Sequence, residues 1–254
     1  MGYDRYAQDW HLLQARQQNN LAHRFLEKPA MQRLIPNKQR AEVLLLGCGS
    51  AEEIETLRAS DLEIASLRGI DKSAVLIDYA KLNYPEYDFT AQSLEEWAPE
   101  QQYDFIYSSL TFHYVADWSQ LFTKLREALK LSGELLFSVQ HPVKWGSATT
   151  RSKAANKFIL GYEKQKTTAG FTVWGDYLTA REIHDTLFGK IPITHYHKPI
   201  SEMINIFIRS GFEIVQMVEP LPSLESKQSH PDFYETYSKI PLFVLFQLRK
   251  KLTS

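Results

Sequence analysis

The stretch Ala41–Ser50, AEVLLLGCGS, constrains the fold of this chain more than any other. Val43, Leu44, Leu45 and Leu46 form an unbroken apolar run between polar neighbours. That is the pattern of a strand covered on both faces, as at the centre of a parallel sheet. Gly47-Cys48-Gly49 then predicts a sharp turn where two residues without Cβ let a ligand approach the backbone. Ser50 and Glu53 have the S-x-x-E spacing of a helix capping box, and Ile54 and Leu57 begin an apolar stripe behind it. Strand, glycine turn and helix N-terminus together read as a nucleotide-type cradle.

The kind of nucleotide follows by elimination. A phosphate-binding loop closes on Gly-Lys-Ser/Thr, and no lysine lies between Gly47 and Arg58. A dinucleotide fingerprint needs a third glycine three places after the second, where this chain has Glu52. A pyrophosphate would meet Glu52 and Glu53 where it needs bare amides. A ligand without phosphates suits the turn better, and an oxidoreductase using a nicotinamide dinucleotide is disfavoured. Ile64–Ile70 reads as a second strand ending at Asp71, whose carboxylate stands where an acidic residue takes the hydroxyls of a ribose.

With these residues in place, Val43–Ala51 resembles the first motif of the class I S-adenosylmethionine-dependent methyltransferases, V-L-D-L-G-C-G-x-G. Gly69-Ile70-Asp71-Lys72-Ser73 resembles the family's next element, G-[IV]-D-x-S. The run from Tyr103 through His113, Asp117 and Leu125 to Leu135–Val139 and His141-Pro142 resembles the segment spanning its fourth and fifth strands. The likeness covers about the first 140 residues. Two positions depart from the pattern: Leu45 replaces the usual acidic residue, and Ala51 replaces the last glycine. The marks Glu27-Lys28-Pro29-Ala30-Met31, His141-Pro142, Tyr196–Pro199 and Val218-Glu219-Pro220 are similar to those of a bacterial subgroup of small-molecule type.

The resemblance implies an α/β fold with a doubly wound, seven-stranded, mostly parallel sheet, a final antiparallel strand and an insertion after strand five. It implies one methyltransferase domain over 1–254, divided into an N-terminal helical lid (1–40), a cofactor-binding half (41–142), a substrate-covering insertion (143–198) and a closing helix with strands (199–254). S-adenosylmethionine is the implied cofactor. Its implied contacts are Gly47, Cys48, Gly49, Asp71 and Lys72, then Gln92, Ser93 and Leu94 at the adenine, Ser109 and Leu110 after strand four, and Tyr3 as a lid. Enzymes of this kind that act on DNA amines or protein glutamine carry [N/D]-P-P-[Y/F/W] after strand four; here the residues are Ser108-Ser109-Leu110-Thr111.

Local pattern predicts the remaining elements. Tyr3, Tyr6 and Trp10 share a helical face on a segment expected to end before Pro29. Ser73 and Asp117 are expected N-caps, and Gly133 is expected to close the helix after Asp117. From Val143 to Lys198 no period is sustained, which marks a lid or binding loop. Helix 201–210 and strand 212–218 follow, then a polar loop rich in Pro and Ser, then a strand at 241–246. Arg249-Lys250-Lys251 is expected to be a solvated tail.

Composition narrows the partners. The 254 residues carry a net charge of −1, with acids and bases interspersed. Nucleic-acid binding by a basic face is therefore disfavoured. A single cysteine fits a reducing compartment. No apolar run approaches the roughly 18 residues of a membrane span, and the N-terminus has neither a signal-peptide core nor the Ser or Thr at position 6 that myristoylation requires. The expectation is a soluble, cytoplasmic protein acting on a small molecule, with no membrane and no metal.

Methyl transfer from a sulfonium needs an aligned nucleophile and, where that nucleophile must lose a proton, a base. His141, held extended before Pro142 at a strand mouth, and His113 after strand four are the expected catalytic residues. His195 and His197 would point to one face of a strand, without the neighbouring ligands a metal would need. The alternative function is a catalytically silent cofactor-binding sensor or scaffold, to which Leu45 and Ala51 lend weight.

Overall fold

The structure is a computed structural model and describes residues 20–145, 163–168, 170–187 and 191–251. Strand β1 (Lys38–Leu46) pairs in parallel with β2 (Leu62–Asp71) on one side and β4 (Tyr103–Ser108) on the other. With β3 (Asp88–Ala91), β5 (Leu129–Gln140), β10 (Phe212–Val218) and β11 (Phe243–Lys250), they form one seven-stranded sheet. Its order is β10-β11-β5-β4-β1-β2-β3. β11 runs antiparallel to both neighbours, and the order reverses between β1 and β4.

The apolar run in β1 divides between two cores, as a strand buried on both faces must. Leu44 and Leu46 join Phe137 and Phe246 beneath α4 (Trp118–Ala128) and α6 (Ile200–Arg209). Val43 and Leu45 join Phe105 and Tyr107 beneath α1 (Lys28–Leu34), α2 (Glu53–Arg58) and α3 (Ala74–Asn83). The first core is dense in rings: Phe122 lies 4.7 Å from Phe207 and 5.6 Å from Phe137, centroid to centroid, and Phe207 lies 5.0 Å from Phe246. Each such pair adds about 0.5–1.5 kcal/mol beyond area burial. Ser73 and Asp117 cap α3 and α4 as expected, accepting from the backbone N–H of Leu76 and Gln120.

The structure corrects several local expectations. Ser50 is not a helix cap: Ala51 extends the turn at φ 66°, and α2 begins only at Glu53. The Ser50 hydroxyl donates instead to Glu52. The N-terminal helix does not stop before Pro29. A π-helical turn at His23–Glu27 leads directly into α1, with Pro29 in its first turn. Proline cannot donate to the carbonyl four residues back, and that carbonyl, of Phe25, accepts from Ser223 N–H at 2.7 Å. The wider turn thus absorbs the proline and hands its orphan acceptor to another segment.

Gly133 lies within β5, since α4 already ends at Ala128. A Cβ there would come within 2.9 Å of the Tyr103 carbonyl, so the glycine serves close strand approach. The region expected to lack regular structure contains α5 (Pro142–Trp145) and two antiparallel hairpins, β6 (Glu163–Thr167) with β7 (Gly170–Trp174), and β8 (Arg181–Leu187) with β9 (Ile191–His197). The polar loop before the last strand folds into α7 (Leu224–Ser229) and α8 (Pro231–Tyr237), with Pro231 in the first turn where its missing N–H costs nothing. Arg249 belongs to β11 rather than to a tail, and its guanidinium donates twice to Glu213 across the strand pair.

Candidate functional site

A cavity of about 190 Å³ opens at the C-terminal edge of the sheet, between the ends of β1, β2, β4 and β5. This is where an open α/β sheet with a reversal of strand order holds its ligand. The turn after β1 forms one wall. Gly47 and Cys48 donate to the Ile70 carbonyl at 2.7 and 3.1 Å, which bends the chain across β2. Gly47, at φ 65°, also has to lack a side chain because Thr111 packs where a Cβ would stand, 2.1 Å from its hydroxyl.

Asp71 ends β2 and is held by backbone on both oxygens: Gly49 N–H donates to Oδ2 and Ser73 N–H to Oδ1, each at 2.9 Å. The carboxylate is thereby fixed on the wall with the glycine turn. Cys48 is buried beside it, and burial followed by the Asp71 charge pushes its thiol well above the ordinary range. The thiolate is suppressed, so this cysteine lines the site without acting as a nucleophile.

Beyond β4, Leu110 lies at φ 49° and its N–H donates to Ser138 on β5. The following short 3-10 turn, Phe112–Tyr114, is fastened to α4 by the Trp118 indole, which donates to the Phe112 carbonyl at 2.8 Å. His113 thereby reaches the cavity wall, its ring 4.2 Å from that of Tyr114. The β8–β9 hairpin packs beside this turn: the Lys198 ammonium donates to the Ala116 carbonyl and lies 5.3 Å from the Trp118 ring. Burial pushes Lys198 down.

Of the residues expected at the site, Gly47, Cys48, Gly49, Asp71, Lys72, Leu94, Ser109, Leu110 and His113 converge on this cavity. Gln92, Ser93 and His141 are not among its lining residues. Gln92 N–H donates to the Asp71 carbonyl, and Ser93 Oγ accepts from Glu96 N–H, so both are occupied in shaping the turn after β3. His141 is buried, its Nδ1 accepting from Val143 N–H and its Nε2 lying 2.8 Å from Glu219. Burial pushes its pKa down, against the raising effect of Glu219. Tyr3, with Tyr6 and Trp10, lies outside the described residues.

The site also contains residues that the sequence reading did not single out for ligand binding, chiefly Asn20, His23, Glu95, Gln140 and Phe243. Behind His23 stands Glu27, fully buried. A His and a Glu four apart on one helix face, the Glu set among Phe25, Leu26 and Met31, was the available signal.

The family described as methyltransferase domain matches residues 13–217. This chain therefore belongs to the class I S-adenosylmethionine-dependent methyltransferases. Among proteins it is similar to is an uncharacterized protein of Haemophilus influenzae, 27% identical over 230 residues that cover 87% of this chain and 85% of that one. A trans-aconitate 2-methyltransferase of Klebsiella pneumoniae is 32% identical over 147 residues, 57% of each chain. In fold it resembles the crystal structure of an S-adenosylmethionine dependent methyltransferase from Mesorhizobium loti, with TM-score 0.70 and 24% identity over 87% of this chain and 96% of that chain.

Proposed function

We propose that the chain transfers the methyl group of S-adenosylmethionine to an oxygen or nitrogen of a small-molecule acceptor. The observation that carries this reading is the Asp71 carboxylate, fixed by Gly49 and Ser73 on the wall of a cavity at the point where strand order reverses. A nucleoside with a cationic arm and no phosphate fits the wall: Asp71 would take the ribose hydroxyls, while Leu76, Leu94 and Leu110 offer apolar faces to a base. Glu52 and Glu53, on the same wall, disfavour a pyrophosphate.

When bound, the sulfonium supplies an activated methyl group. The chain's own contribution is to hold the acceptor in line with that group. Of the two histidines on the wall, His23 is held between Glu27 and Glu53, which leaves His113 to take the acceptor's proton where there is one; His141 lies off this wall, between Glu219 and the chain turn at Val143. Similarity to trans-aconitate 2-methyltransferases supports a small organic acid as the first acceptor class to test.

Calorimetric titration with S-adenosylmethionine and S-adenosylhomocysteine tests the reading. Both are expected to bind at micromolar strength, and Asp71→Ala is expected to weaken both at least tenfold, about 1.4 kcal/mol. A folded protein that binds neither would overturn this reading.

A further inference from the structure

Three ionisable side chains from two helices meet beneath the glycine turn. His23 Nδ1 lies 2.8 Å from Glu27 Oε2, and its Nε2 lies 3.0 Å from Glu53 Oε1. Only the imidazolium can donate from both nitrogens. Burial would push this histidine down, but the Glu53 charge and the bonds to both carboxylates more than reverse that and hold it at about 10. Burial likewise opposes the charge on Glu53, and His23 overcomes it, holding the carboxyl at about 2.

The outer oxygens are satisfied as well. Tyr107 donates to Glu53 Oε2 at 2.7 Å, and Ser109 and Ser138 donate to Glu27 Oε1 at 2.9 and 2.5 Å. Two carboxylates and one imidazolium leave the cluster with one net negative charge. Lys28, only half-buried, adds a more distant positive charge that acts on Glu53. With two carboxyl groups sharing one imidazolium at a cavity wall, the cluster suits a cationic group of a ligand better than an anionic one. The cluster faces the cavity through His23 and Glu53, while Glu27 stands behind. Leu45 and Tyr107 are register partners on β1 and β4, so the charge lies over a position where the strand itself is apolar.

We infer that this cluster is a subsite for the α-ammonium of the cofactor's amino-acid arm, with the Glu53 carboxylate as its acceptor and His23, Tyr107 and Glu27 as the groups that orient and charge it. An ammonium has three N–H donors to give a carboxylate, whereas a sulfonium has none. The inference rests on the cofactor reading given above.

The test titrates three probes into wild type, Glu53→Gln and Tyr107→Phe: S-adenosylmethionine, S-adenosylhomocysteine, and 5′-methylthioadenosine, which lacks the amino-acid arm. Glu53→Gln is expected to weaken the first two at least tenfold, by similar factors, and to leave methylthioadenosine within twofold. Tyr107→Phe, which keeps the ring and removes only the donor to Glu53, is expected to give the same pattern at a few-fold. Loss confined to S-adenosylmethionine would place the sulfonium at Glu53 and overturn the inference. Equal loss of all three probes would overturn it too, by reducing the cluster to a structural prop. Failure of all three to bind wild type would instead overturn the cofactor reading on which it rests.

Discussion

Ala51 is buried and sits at φ 66° in the turn that lines the site, where the family pattern has glycine. A left-handed alanine costs about 1–2 kcal/mol. Against that, glycine would forfeit a buried methyl, worth about 0.8 kcal/mol, and enlarge the unfolded ensemble by a further 0.4–1 kcal/mol, roughly. The terms nearly cancel. Ala51→Gly is therefore expected to change the unfolding free energy by less than about 1 kcal/mol in urea denaturation; a loss above 2 would mean the methyl makes a contact of another kind. At this scale the sequence was legible where the cavity wall is local in the chain. Gly47, Gly49 and Asp71 announce themselves by spacing, because the turn and the strand tip that they build are each contiguous. The His23–Glu27–Glu53 cluster does not, since Glu27 meets Ser138 across 111 positions and only the finished fold brings them together.

Among the elements, β2 and β3 show how a single missing side chain sets strand packing. Gly69 and Phe89 are register partners, and a Cβ on Gly69 would stand 2.5 Å from the Phe89 ring. Gly69→Ala is expected to cost about 1–3 kcal/mol as overpacking, read as a lower denaturation midpoint with an unchanged m-value. Strands β1 to β5 were legible from their apolar runs, and helices α3 and α4 from the N-caps Ser73 and Asp117, whereas the cap expected at Ser50 is not one. The β8–β9 hairpin was legible only at His195 and His197, expected on one strand face and buried there with Ile193; its partner strand Arg181–Leu187 carries no apolar alternation to announce it. Helix α1 was hidden by Pro29, whose breaking effect is absorbed by the π-turn and by Ser223. The two short helices before β11 were hidden by Pro and Ser, residues that begin helices as readily as they fill loops.

For the whole molecule, the buried cluster ties stability to pH with a definite sign. His23 rises from 6.5 to about 10 on folding, so its contribution is complete below pH 6.5 and is lost as pH climbs through 10. Glu53 falls from 4.5 to about 2, so its contribution is complete above pH 4.5 and is lost as pH drops through 2. Melting temperature measured against pH is expected to decline between 7 and 10, and His23→Asn is expected to remove most of that decline. An equal slope in both proteins would assign the decline to other groups.

The place of β11 has a consequence for how the chain is made. The strand lies inside the sheet, between β5 and β10, with Val244, Leu245, Phe246 and Leu248 fully buried. Roughly a hundred residues separate it from β5, which at about 5–20 residues per second takes the ribosome some 5–20 s to add. Over that interval the nascent chain presents a bare strand edge and an uncovered patch of phenylalanine rings. That edge of β5 therefore waits on translation for its partner, and not on the folding of any element already made.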